Sequence, residues 1–118
     1  MTDPGLYLAH MIESAERVFR YTSGGRQAFF ESDLIQDGVI RNFEVMGEAA
    51  KEMPEEYRLA HPDIPWRRIM DFRNVLIHGY KRVDLEAVWH TIEHDLPGVA
   101  ELLEELFRVL EPWRPGES

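Results

Sequence analysis

Residues 32–54 read SDLIQDGVIRNFEVMGEAAKEMP, and the spacing of their apolar side chains decides the fold class. Ile35, Val39, Phe43, Met46, Ala50 and Met53 recur at steps of three and four. That is the period of one helix face; on a strand, residues of one face fall at every second position. Ser32-Asp33 supplies a helix N-cap and Pro54 stops the run. Within it, Gly47-Glu48-Ala49-Ala50 puts small residues where another helix can approach closely.

The same period extends outward. Asp3-Pro4 forms a cap and first-turn proline, and Leu8, Met11, Ile12, Ala15, Val18, Phe19 and Thr22 then follow at helical steps until Gly24-Gly25. A short connection holds Phe29 and Phe30. Beyond Pro54, residues 55–64 read as a turn or a single helical turn. Pro65 then opens a helix with the stripe Trp66, Ile69, Met70, Arg73, Leu76 and Ile77. Asp84 caps a last run through Leu85, Val88, Trp89, Ile92, Leu96, Val99, Leu103, Leu106 and Leu110, which Pro97 must kink or split. No run alternates convincingly enough for a strand. The expectation is an all-α, up-and-down bundle of four to five helices, one domain over residues 1–111 with a flexible tail over 112–118.

The 118 residues include no cysteine, so disulfides and thiolate chemistry are excluded, as suits a reducing compartment. No basic leader precedes an apolar run and no window is long enough to span a bilayer, so the expectation is a soluble cytoplasmic protein without a membrane partner. A net charge of -9 opposes nucleic-acid binding until its distribution is considered. Residues 58–82 hold six basic and two acidic side chains, whereas residues 1–57 hold five and eleven and residues 83–118 two and nine. One basic island stands in an acidic chain.

That island contains MDFRNVLIHGYK, residues 70–81. Helical spacing sets Arg73 with the apolar stripe, so its guanidinium needs an anion, a carboxylate or an interface. Read as punctuation, His78 favours the negative end of the helix dipole, Gly79 is a left-handed cap and Tyr80 packs back on Val75. Read as chemistry, a ribose 2′-hydroxyl attacking its own phosphate needs a proton acceptor, a donor and a cation. Histidine exchanges protons near neutrality, and the arginine fork matches phosphate oxygens. Asn74 could orient the histidine or hold a phosphate oxygen. One chain supplies one such histidine, so a homodimer pairing two copies would furnish both acid and base. An arginine and a histidine four to six residues apart are expected about once by chance in this composition, so the pair alone carries little weight.

RNVLIHGY, with IPWRRIMDF before it and VDLEAVWHTIEHDLPGV after it, resembles the HEPN superfamily and, within it, the HepT-like toxins. DGVIRNFEVMGEAAKEMP is similar to the corresponding family segment, so the resemblance covers about residues 5–107. It implies a homodimeric, metal-independent ribonuclease without a cofactor, with Arg73 and His78 catalytic and Asn74 in support. Its substrate would be cellular RNA, with tRNA a candidate. It also implies that Tyr80 is adenylylated by an MntA-like nucleotidyltransferase antitoxin using ATP, which leaves room for a higher oligomer with that antitoxin. Arg67, Arg68, Lys81 and Arg82 are the candidate RNA contacts. Because the superfamily includes degenerate members that only bind, the alternative is a silent subunit that docks a nucleotidyltransferase.

HTIEH, residues 90–94, matches an inverted zinc-protease pattern with Glu86 one turn earlier as a third ligand. Such enzymes need a substrate domain that this length hardly provides, and the expectation is no metal site. Trp66 and Trp89 read as core or interface anchors.

Overall fold

The computed structural model describes residues 3–78 and 82–110, and for residues 73–75, 77 and 78 it describes the backbone alone. Helix α1 spans Pro4–Tyr21, α2 Arg26–Glu31, α3 Asp33–Glu52, α4 Glu55–Ala60 and α5 Trp66–Leu76. Two-residue strands β1 (Ile77–His78) and β2 (Arg82–Val83) follow, then α6 (Leu85–His90), a π-turn (Thr91–Asp95) and α7 (Leu96–Leu110). The fold is all-α in substance, with α1, α3, α5 and α7 as its main helices. α1 packs against both α3 and α7, and α3 in turn packs against α5.

The caps form where the sequence places them. Asp3 Oδ1 accepts the Gly5 N–H at 2.9 Å, Ser32 Oγ that of Ile35 at 3.1 Å and Asp84 Oδ1 that of Ala87 at 3.0 Å. Each satisfies one of the donors that a helix start leaves without an intrahelical partner. The apolar stripes meet in one cluster including Leu8, Met11, Val18, Phe29, Val39, Met53, Leu76, Val88 and Leu103. Fully burying a side chain of that size stabilises by ~1.5–3 kcal/mol. Three polar residues join them, of which Thr22 donates its hydroxyl to the Val18 carbonyl at 2.7 Å. Asn42 is buried and donates to the Gly38 carbonyl at 2.8 Å, whereas the Ser14 hydroxyl is buried without a partner among the described residues.

Three expectations need correction, and the break foreseen at Pro97 takes a particular form. Phe19, placed on the buried stripe of α1, is exposed. The connection holding Phe29 and Phe30 is helical, and Gln36 Nε2 fixes its end by donating to both their carbonyls, at 2.9 and 3.2 Å. The last helix is interrupted before Pro97 by the π-turn, in which the Leu96 N–H reaches back to the Thr91 carbonyl. This wider turn takes up the backbone where the proline ring would crowd the preceding turn. Finally, a short antiparallel ribbon does form, pairing Ile77 with Val83 and His78 with Arg82. The 112–118 tail and the cap geometry read for Gly79 and Tyr80 lie outside the described residues.

Gly47 lets α3 lie against the backbone of α5: a Cβ there would sit 3.1 Å from the Ile69 carbonyl oxygen. Gly47→Leu should therefore force the helices apart and cost roughly 1–3 kcal/mol, read as a lowered midpoint in urea unfolding; an unchanged midpoint would show that the approach imposes no constraint.

Candidate active site

The site is built on α5 and the ribbon that continues it. At the start of α5 the Pro65 carbonyl accepts the Ile69 N–H at 3.0 Å, and the buried Trp66 indole donates to the His61 carbonyl at 2.9 Å. Along its length Phe72 meets Phe43 of α3 edge-on, ring centres 4.8 Å apart. At its end Leu76 is buried, and its carbonyl accepts the Asp84 N–H at 2.9 Å. Asp84 thus joins two elements: its N–H closes the base of the ribbon while its carboxylate starts α6.

The expected residues fall on this frame as follows. Arg73 and Asn74 lie in the last turn of α5, and His78 lies in β1. Helix α5 therefore stops at Leu76, two residues before His78, and the angular offset of an ideal helix does not apply between Arg73 and His78. The extended backbone of His78 is paired instead with Arg82, at Cα positions about 5 Å apart in such ribbons. Tyr80 and Lys81 lie outside the described residues.

The basic candidates divide into two places. Arg82 is exposed on the ribbon, whereas Arg67 and Arg68 are exposed in the first turn of α5, about 15 Å away along the helix. Arg68 reaches Asp95 at 3.3 Å, an exposed pair of the kind worth ~0–1 kcal/mol. Arg58 belongs to the fold: its Nε donates to the Met53 carbonyl at 3.3 Å and its Nη1 lies 3.6 Å from Met70 Sδ. The basic island is therefore smaller in space than in sequence.

Beside α5 an apolar groove of about 510 Å³ opens between α3, the π-turn and α7, with Phe43, Ile69, Phe72, Val99 and Leu102 in its walls and Arg68, His94 and Asp95 among its polar residues. Across the π-turn the His90 and His94 rings stand 4.6 Å apart, and His94 Nε2 lies 3.4 Å from Glu93. Glu86, considered as a third ligand, instead takes the Arg26 guanidinium at 2.6 Å. Among the described residues no three His, Asp or Glu side chains converge as a metal site would require. Burial raises the Tyr57 phenol above its ordinary value, but Tyr57 packs at the Trp66 end of α5, away from the ribbon.

Sequence reasoning assigned no role to Phe30 and Arg26. The Arg26 guanidinium lies over the Phe30 ring, 4.6 Å from its centre, and Phe30 and Arg82 both line a hollow of about 430 Å³. Paired aromatics beside an arginine were the visible signal; their nearness to residues more than fifty positions away was not.

A family model described as Ribonuclease HepT-like matches residues 11–106. A protein of Methanocaldococcus jannaschii named "Gamma-glutamylcyclotransferase and putative RNase" is 38% identical over 110 residues, 92% of this chain and 48% of that protein. The chain thus spans about half that relative's length. "Probable ribonuclease HepT" of Thermococcus cleftensis is 36% identical over 104 residues, 85% of this chain and 92% of that protein. A "Putative RNase" of Caldanaerobacter subterraneus subsp. tengcongensis is 29% identical over 109 residues, 92% of this chain and 97% of that protein. No solved structure matches the chain. The chain belongs to the HepT-like ribonuclease family. No helix among the described residues is long and apolar enough to cross a membrane.

Because the Asp84 carboxylate caps α6, Asp84→Ala should cost about 1 kcal/mol while leaving the backbone bond to Leu76 in place. Differential scanning calorimetry would register this as a lower melting temperature, and an unchanged one would deny the carboxylate its role.

Proposed function

We propose that this HepT-like ribonuclease is a metal-independent endoribonuclease toxin that cuts cellular RNA, tRNA included, at a site built from Arg73 and His78. The observation that carries the reading is the Arg73-Asn74-x3-His78-x-Tyr80 core at the junction of α5 and the ribbon. A helix packed on α3 holds the arginine, and the extended segment that follows it directly from Ile77 holds the histidine. In the proposed reaction His78 takes the proton of a ribose 2′-hydroxyl, whose oxygen attacks the adjacent phosphorus. The bond to the 5′-oxygen breaks, that oxygen receives a proton, and the products are a 2′,3′-cyclic phosphate and a 5′-hydroxyl end. Arg73 meets the charge that develops on the phosphoryl oxygens, with Asn74 in support. Arg67, Arg68, Lys81 and Arg82 serve as contacts to flanking phosphates.

One chain has one histidine in the motif, while the reaction needs an acid and a base. A homodimer supplies both, and the groove walled by Ile69, Phe72, Val99 and Leu102 runs along the helix that bears Arg73, so a second copy seated there brings two motifs together. Tyr80 is the regulatory residue in this reading. A nucleotidyltransferase antitoxin transfers AMP from ATP to its hydroxyl, releasing pyrophosphate and leaving a phosphate and a nucleoside two residues from His78. That group competes for the cations meant for RNA and blocks the approach. Larger assemblies with the antitoxin follow from the same contact.

Purified protein in excess chelator should cleave RNA, and Arg73→Ala and His78→Ala should each slow cleavage by about 100-fold or more. Cleavage that survives both substitutions would overturn the assignment. In the presence of the antitoxin and ATP, Tyr80→Phe should keep cutting while the unaltered protein is silenced; equal silencing would remove Tyr80 from the regulation.

A further inference from the structure

The hollow beside β2 is bounded by Phe30, Arg82, Val83, Asp84, Leu85 and Glu86. Four features set it apart from an ordinary surface dent. Its aromatic wall is held rigidly: Phe30 packs edge-on to Phe29 with ring centres 5.2 Å apart, Phe29 is fully buried against Trp89, and Gln36 ties both backbone carbonyls. Arg26 lies over the Phe30 ring but is not among the residues that line the hollow. Its two carboxylates are already engaged, Glu86 by Arg26 at 2.6 Å and Asp84 by the first turn of α6. Arg82 is exposed at its other edge, paired through the backbone with His78. An aromatic residue and an exposed arginine lining one hollow are the pair of groups that takes a nucleobase and its phosphate from a single strand.

We infer that this hollow is a subsite for the nucleotide flanking the cleaved bond, its base stacked on Phe30 and its phosphate met by Arg82. The inference rests on the ribonuclease reading above and adds a substrate preference: unpaired RNA, because a base held in a duplex cannot turn into the hollow. The Arg26–Glu86 pair bridges α2, which carries Phe30, to the start of α6. Phe30 and Arg82 act here on the substrate without taking part in proton transfer.

The test uses full-length His78→Ala protein, which binds without turnover, and a fluorescent single-stranded oligoribonucleotide, with inorganic polyphosphate as a ligand that has charge but no bases. Adding Phe30→Leu, which keeps the apolar bulk under the ring, should weaken RNA binding by at least about fivefold and leave polyphosphate binding unchanged. Phe30→Trp should restore RNA binding. Arg82→Gln should weaken both ligands and lower the salt dependence by about one phosphate contact. RNA binding unaffected by Phe30→Leu, or RNA and polyphosphate weakened alike, would overturn the subsite while the ribonuclease reading stands on unaltered cleavage. Failure of the unsubstituted protein to bind or cleave any RNA would overturn both.

Discussion

The contact of α3 with the backbone of α5 at Gly47 is the constraint on which the rest of the molecule depends. With no side chain at that position, the Ile69 carbonyl comes within 3.1 Å of where a Cβ would be, closer than a larger residue tolerates without moving the helix. Phe43 and Phe72 then close on each other one helical turn before Gly47 and just beyond Ile69, and the buried Trp66 and Leu76 pin the two ends of α5. α5 is thereby fixed in position and rotation. The turn that carries Arg73 inherits that placement, and the ribbon carrying His78 grows from its end. Rigid elements hold functional groups more closely than loops do, and the histidine of the proposed site stands on extended backbone paired with β2.

Electrostatics narrow the surface that RNA can use. The acidic chain repels polyanions generally, and within its basic segment Arg58 is spent on the end of α3 while Arg68 shares its charge with Asp95. Arg82, at the ribbon, and Arg67, at the far end of α5, are the cations exposed among the described residues of that segment without a carboxylate partner. A strand lying along α5 would meet one at each end, with the motif near Arg82. Recognition through a few separated cations relies on stacking and shape more than on net charge, which suits a protein whose overall charge opposes its proposed ligand.

How much of this was legible in the sequence depends on the range of the interaction involved. Asp3, Ser32 and Asp84 were readable as caps because each bonds a backbone N–H two or three residues away. The stripes of α1 and α3 were readable because burial on one side imposes a period. The end of α5 was not: the extended pairing of Ile77 and His78 depends on Arg82 and Val83 and on the Asp84 bond to Leu76, whereas His-Gly-Tyr alone looks like a helix stop. Phe30 was passed over because its significance comes from Arg82 and from an ion pair sixty residues apart in sequence. Pro97 announced an interruption, and the π-turn just before it is how the backbone supplies one. The motif itself was legible only through its family resemblance, since helical geometry alone gave no reason to group Arg73 with His78.

The most direct test of a histidine-driven, metal-free cleavage is the chemistry of the ends it leaves. RNA digested in excess chelator should carry 2′,3′-cyclic phosphates and 5′-hydroxyls, identified by mass spectrometry of the fragments. Fragments ending in 5′-phosphate and 3′-hydroxyl, or cutting that stops when divalent ions are removed, would contradict the account.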